Sequence, residues 1–263
     1  MKNVAHLKNE KSTITKVLMA ILLLFMLTTT VFAQKQVKNI VLVHGAFADG
    51  SGWEATYNLL KKKGFNVSIV ANPNTSFAED VAATKRTIDR IDGPILLVGH
   101  SYGGAIITEA GNSEKVVGLV YIAAFVPDQG ETLLQLLQAG PPAQNSGIEA
   151  PSADGFVWYN KAKFRSGFCA DVSKEKADFM YDSQVPVSAS VFGASVSKAA
   201  WKTRPTWYIL GTDDQTIPAV GARFMAKRAN AKLIEIKSSH VIYLSHPKEV
   251  ADVIETAAKG SSK

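Results

Sequence analysis

The sequence predicts an α/β fold: a mostly parallel six-stranded sheet with helices on both faces and a small helical insertion. Three observations predict it. Apolar, β-rich runs alternate with amphipathic helical patterns along most of the 263 residues. The runs are continuously apolar, as strands covered on both faces must be. The alternation breaks once, between about Pro127 and Ala200, over a stretch too long for a simple loop.

The chain starts with a segment that need not belong to the fold. Lys2, Lys8, Lys11 and Lys16 precede the apolar run Val17–Leu27, and Val31 and Ala33 are small residues placed before Gln34. The run is shorter than the roughly 20 apolar residues that span a bilayer, so residues 1–33 read as a signal peptide cleaved after Ala33. An uncleaved anchor is the alternative. The expectation is a secreted or periplasmic protein with no stable membrane anchor after processing, its single domain occupying 34–263.

Strands are expected at Asn39–Val43, Asn66–Ala71, Pro94–Val98, Val116–Ala124, Thr206–Leu210 and Lys232–Ile236. Helical patterns lie between them at Trp53–Lys63, Ala78–Asp89, Gly104–Ala110, Ala219–Ala229 and Lys248–Ala258. Gly64, Gly93 and Gly111 stand where helix ends need a left-handed residue. Within the insertion, 127–200, Leu133–Leu137 and Lys174–Tyr181 are short amphipathic stretches, and Gly140–Asp154 is rich in loop formers. An insertion between the fourth and fifth strands would lie over the carboxyl ends of the sheet, where open α/β sheets bind ligands.

The strongest local signal is Gly99-His100-Ser101-Tyr102-Gly103-Gly104, directly after one strand and before a helix. A serine on so sharp a turn is strained and exposed at the sheet edge, and only glycines let strand and helix approach around it. Such a serine becomes a nucleophile when a base takes its proton. His240, in Lys237-Ser238-Ser239-His240 after the last strand, reaches the same edge; His246, before Pro247, reads as a surface or capping residue. His44 and His100 are expected to pack beneath the site. The base needs an acid to hold its tautomer, and Asp213 and Asp214 both follow the fifth strand, one facing His240 and the other capping the turn. Two N–H donors are needed for an oxyanion: Tyr102, and Ala46 or Phe47 in the glycine-rich loop from His44 to Trp53.

These motifs, HGAFADGSGW from His44, GHSYGG from Gly99, GTDDQTIP from Gly211 and SSHVIYLSHP from Ser238, resemble the α/β-hydrolase superfamily from Val37 to the end. Within it the chain is similar to the small esterases that include plant methyl esterases, hydroxynitrile lyases and related bacterial esterases. The resemblance implies Asp214, three residues after Gly211, as the acid, and Ala46 as the first oxyanion donor. It makes 127–200 a cap whose side chains line a substrate pocket, with Phe47, Leu133, Leu134, Phe156, Trp158 and Phe192 as expected wall residues. The implied reaction is hydrolysis of small or medium carboxylic esters through an acyl-enzyme. The related lyases carry lysine and threonine where this chain has Val241 and Gly45, which disfavours lyase chemistry, and dehalogenases carry aspartate in place of Ser101. A perhydrolase side activity and a receptor-like relative with weak turnover remain open.

Composition excludes other classes. A hydrophobic fraction of 46% excludes a disordered chain. Half of the formal charge of +6 comes from residues 1–33, whose four lysines stand against Glu10, and Lys61-Lys62-Lys63 reads as the solvated end of a helix, so no nucleic-acid partner is expected. Neither a phosphate-binding loop nor a dinucleotide fingerprint occurs, nor HExxH; no metal and no cofactor are expected. Cys169, the single cysteine, has no disulfide partner within the chain and is assigned no function.

Overall fold

The computed structural model describes residues 36–262 except 141, 142, 144 and 145. The expected leader, 1–33, lies outside the described residues. Six strands, β1 (Asn39–Val43), β2 (Asn66–Val70), β3 (Ile95–His100), β4 (Val116–Ile122), β7 (Thr206–Gly211) and β8 (Lys232–Ile236), form one parallel sheet in the order β2-β1-β3-β4-β7-β8. The four inner strands are buried almost throughout, as their uninterrupted Val, Ile and Leu content demands, whereas of the edge strands β2 is mostly half-buried and β8 mostly exposed.

Helices cover the sheet in two groups. Helices α1 (Glu54–Lys62), α9 (Ile242–Ser245) and α10 (Pro247–Gly260) pack together, and α2 (Phe77–Asp89) packs on α3 (Gly103–Ala110). Their starts follow from local chemistry: Ser76 Oγ accepts the Glu79 N–H, and Pro247 opens α10 where its missing N–H costs nothing. Lys61 and Lys62 are solvated as expected, while Lys63 bridges Asp252 and Glu255 of α10 at 2.9 and 2.5 Å. Gly64 and Gly93 adopt positive φ, 82° and 88°. Gly111 does not: its φ is −65°. It is glycine because a Cβ there would meet the Ile107 carbonyl oxygen at 2.6 Å and Ala200 at 2.9 Å.

The insertion leaves the sheet after β4, which Ala123 ends at φ 44°. It contains α4 (Leu133–Gln138), α5 (Lys161–Phe168), α6 (Lys174–Asp182) and α7 (Ser190–Gly193), with an antiparallel ribbon of β5 (Phe156–Val157) and β6 (Val187–Ser188). Neither the ribbon nor α5 is evident as a pattern in the sequence. Each of α4, α5 and α6 begins at a capping side chain, Thr132, Asn160 or Ser173. The insertion's two ends pair with each other at Gln129–Val196 and Thr132–Ser195. Arg228 of helix α8 (Ala219–Arg228) clamps the leading end with a bidentate bond to Glu131, at 2.7 and 2.9 Å, and a bond to the Val126 carbonyl.

Candidate active site

Ser101 stands between β3 and α3 at φ 53°, a left-handed conformation that a non-glycine residue holds only when its surroundings impose it. Glycines impose it here. A Cβ on Gly99 would lie 2.5 Å from the Gly103 carbonyl oxygen, one on Gly103 would lie 2.7 Å from the carbonyl oxygens of both Val43 and His44, and one on Gly104 would lie 2.3 Å from the Phe125 carbonyl oxygen. Gly45 touches the serine itself, since its missing Cβ would fall 2.7 Å from Ser101 Cβ. A threonine at that position does not fit this site, and Val241 is fully buried.

The loops after β7 and β8 bring an acid and a base to the same edge. His240 Nδ1 lies 2.7 Å from Asp214 Oδ2, with both side chains almost wholly buried. The second oxygen, Oδ1, accepts the N–H groups of Thr216 and Ile217 at 2.7 and 2.9 Å. Asp214 therefore both faces His240 and caps the turn, two tasks the sequence pattern divides between the neighbours, while Asp213 points to solvent. With Nδ1–H donating to the carboxylate, Nε2 of His240 is left as the acceptor, buried and without a partner among the described residues.

His44 and His100 support this arrangement from below. His44 Nε2 accepts the Asn72 N–H at 3.0 Å, so its Nδ1–H donates to the Gly45 carbonyl at 2.9 Å. Burial keeps its pKa below the ordinary imidazole value despite that carbonyl. His100 donates from Nε2 to the His240 carbonyl at 3.0 Å and packs on the His240 ring with centroids 4.7 Å apart. Complete burial, then the neighbouring His240, holds it well below the ordinary value. Both are thus neutral scaffolding. His246 N-caps α10 by position and bonds Ser245 Oγ through Nδ1.

Ala46 and Tyr102 are buried beside the serine, and their N–H groups have no protein acceptor among the described residues. Phe47 follows Ala46 at φ 60°, a second strained position on the loop. The Tyr102 hydroxyl donates to Asp80 Oδ2 at 2.6 Å, anchoring the residue that follows Ser101. Burial raises the Asp80 carboxyl above its usual range.

A cavity of about 560 Å³ opens between insertion and core, lined by apolar side chains such as Phe125, Leu136, Leu137, Ile217, Val220 and Phe224. Two of its lining residues bond the site through their backbones: Phe125 N–H donates to the Ser101 carbonyl at 3.1 Å, and Ile217 N–H to Asp214. None of the six expected wall residues lines it. On α4 the helical turn puts Leu136 and Leu137 at the cavity, sends Leu133 into the core and leaves Leu134 exposed. Trp158 is exposed, and Phe156 and Phe192 are partly buried in and beside the ribbon. Phe47 packs edge-on against Tyr159 and Phe168, at 5.5 and 6.5 Å. Cys169 is buried, and burial pushes its thiol up to about 12, so it is a protonated core residue at neutral pH.

The model of the alpha/beta hydrolase family matches residues 40–253, which include every element of the site. The chain belongs to the alpha/beta hydrolase family. Among members of that family, it is 27% identical over 242 residues to the alpha/beta hydrolase nvfD of Aspergillus novofumigatus, covering 83% of this chain and 96% of the relative. It is 28% identical over 181 residues to a carbendazim hydrolyzing esterase of a Nocardioides species, covering 63% and 66%. Among solved structures, a pyrethroid hydrolase from Sphingobium faniae superposes with a TM-score of 0.74 at 22% identity, covering 84% of this alpha/beta hydrolase and 97% of that chain.

Proposed function

We propose that this alpha/beta hydrolase is a carboxylesterase that cleaves small or medium esters through an acyl-enzyme. The observation that carries the reading is the buried Asp214–His240 pair, whose Nε2 is left without a partner among the described residues, on the sheet edge that also holds Ser101 on a strained elbow. His240 takes the Ser101 proton as Oγ attacks the ester carbonyl, and the Ala46 and Tyr102 N–H groups receive the negative charge on the carbonyl oxygen. The tetrahedral intermediate collapses as His240 returns the proton to the leaving alcohol. Water, activated by the same base, then releases the acid. Names of relatives that denote esterases and hydrolases support this reading. The basic, apolar N-terminus supports export to the periplasm or medium.

The test is turnover of p-nitrophenyl acetate and butyrate by the chain lacking residues 1–33, with mass spectrometry of the protein after a fluorophosphonate. Steady release over many turnovers and a phosphonyl adduct on Ser101 are expected. A single burst that stalls, or an adduct on another residue, would refute the reading.

The apolar cavity is expected to hold the larger hydrophobic part of the ester. Gly221 lines it, and a Cβ there would meet nothing within 4 Å. Gly221→Leu should therefore fill the cavity without strain, and it improves helix propensity by about 0.8 kcal/mol. The expected result is a fall of about 10-fold in kcat/KM for p-nitrophenyl octanoate relative to acetate, with an unchanged or raised melting temperature. An unchanged octanoate-to-acetate ratio would place the substrate elsewhere.

A further inference from the structure

The loop that carries His240 is weakly anchored by the sheet, because β8 is an exposed edge strand. The core holds it through the Asp213 N–H bond to the Ser238 carbonyl, at 3.1 Å, and the insertion adds a second set of restraints. Asp171, between α5 and α6, receives Ser238 Oγ–H at 2.7 Å and the Ser239 N–H at 2.9 Å on one oxygen, and Ser239 Oγ–H on the other. Ser238 and Ser239 are buried, and Ser239 directly precedes His240. Partial burial raises the Asp171 pKa, but the donations from Ser239 and Ser238 outweigh it and hold the carboxyl below the usual range, so the acceptor is a carboxylate.

The same short stretch reaches the acid and the base ring. The Gly167 carbonyl accepts Thr216 Oγ1–H at 3.0 Å, fixing the turn that Asp214 caps. The Phe168 ring, fully buried, lies against the His240 ring with centroids 5.1 Å apart. Residues 167–171 thus touch the acid loop, the base ring and the base loop from one side. The core holds the same groups from the other side through the His100 bond to the His240 carbonyl.

We infer that Asp171 is a positioning residue through which the insertion sets the His240 loop, so that acylation of Ser101 depends on how the insertion is seated. This rests on the esterase reading. Its physical basis is the steep dependence of proton transfer on geometry: a misplacement of about 1 Å can cost about 100-fold in rate. Asp171 touches neither the serine nor the acid, so its effect must pass through Ser238 and Ser239.

The experiment measures the rate of Ser101 phosphonylation by a fluorophosphonate, alongside kcat and KM for p-nitrophenyl butyrate. Wild type is compared with Asp171→Ala, Asp171→Asn, Ser239→Ala and the Asp171→Ala/Ser239→Ala pair. Asp171→Ala is expected to slow both phosphonylation and kcat by about 10- to 100-fold, with KM within about twofold and the melting temperature within about 2 °C. Asp171→Asn keeps one acceptor oxygen and should recover part of the loss. The double variant should lose no more than the worse single one, because both changes break the same contact. A wild-type phosphonylation rate in Asp171→Ala, additive losses in the pair, or a loss carried entirely by KM would overturn the inference while leaving the esterase reading intact. Failure of wild type itself to label at Ser101 would bring down the esterase reading and this inference together.

Discussion

Ser101→Ala and His240→Ala are each expected to lower kcat for p-nitrophenyl butyrate by at least about 10³-fold, and the double variant by little more than either alone. The two side chains act in one proton transfer, so removing either abolishes the step. What survives is the contribution of the Ala46 and Tyr102 N–H groups and of binding. The scaffold offers no substitute base. His44 already engages both ring nitrogens, and His100, although its Nδ1 lacks a partner among the described residues, is held by burial and the neighbouring His240 well below the ordinary imidazole value, which makes it a weak base. Steady-state and single-turnover kinetics on the three proteins check this. Retention of more than about a tenth of the rate in His240→Ala would mean that another group takes the serine proton.

The parts of this site legible in the sequence are those fixed by short-range geometry. Ser101 is recognisable because Gly99, Gly103 and Gly104 have a local reason to be glycine, a backbone approach of 2.3 to 2.7 Å that excludes any Cβ. His240 and the adjacent aspartates are recognisable because each follows a buried strand, and strand ends define one edge. The choice between Asp213 and Asp214 needed the resemblance, since a turn can point either outward. The cavity wall was not legible. Which face of α4 meets the core depends on how Thr132 starts the helix and how Arg228 clamps the insertion, neither of which leaves a periodic signal. Helix α5 was missed for a related reason: in KAKFRSGF the buried side chains Phe164 and Phe168 are too few to form a stripe, and Asn160 supplies the start. Asp171 carries no motif at all, because its partners lie 67 and 68 residues away. Contacts between an insertion and the loops it covers are made by tertiary packing, so they become visible only when both are placed.

Asp214→Asn is expected to lower kcat by about 10⁴-fold, equivalent to about 5.5 kcal/mol of barrier, while Asp213→Asn should stay within about twofold of wild type. The prediction follows from the two-sided role of the carboxylate. One oxygen accepts the Thr216 and Ile217 N–H groups, and an asparagine can satisfy them only by placing its own oxygen there. Its NH₂ then faces His240 Nδ1, which must become an acceptor and push the imidazole proton to Nε2. A base already protonated at the nitrogen that faces the serine cannot take the serine proton, so the geometry survives and the chemistry does not. The Asp213 side chain is solvent-facing and accepts only from its neighbour Thr212 among the described residues, leaving it no route to the imidazole, and its N–H bond to the Ser238 carbonyl is a backbone contact that asparagine keeps. The decisive measurement is kcat for both variants alongside their melting temperatures. A large loss in Asp213→Asn, or near-normal turnover in Asp214→Asn, would show that the imidazole is not oriented by Asp214.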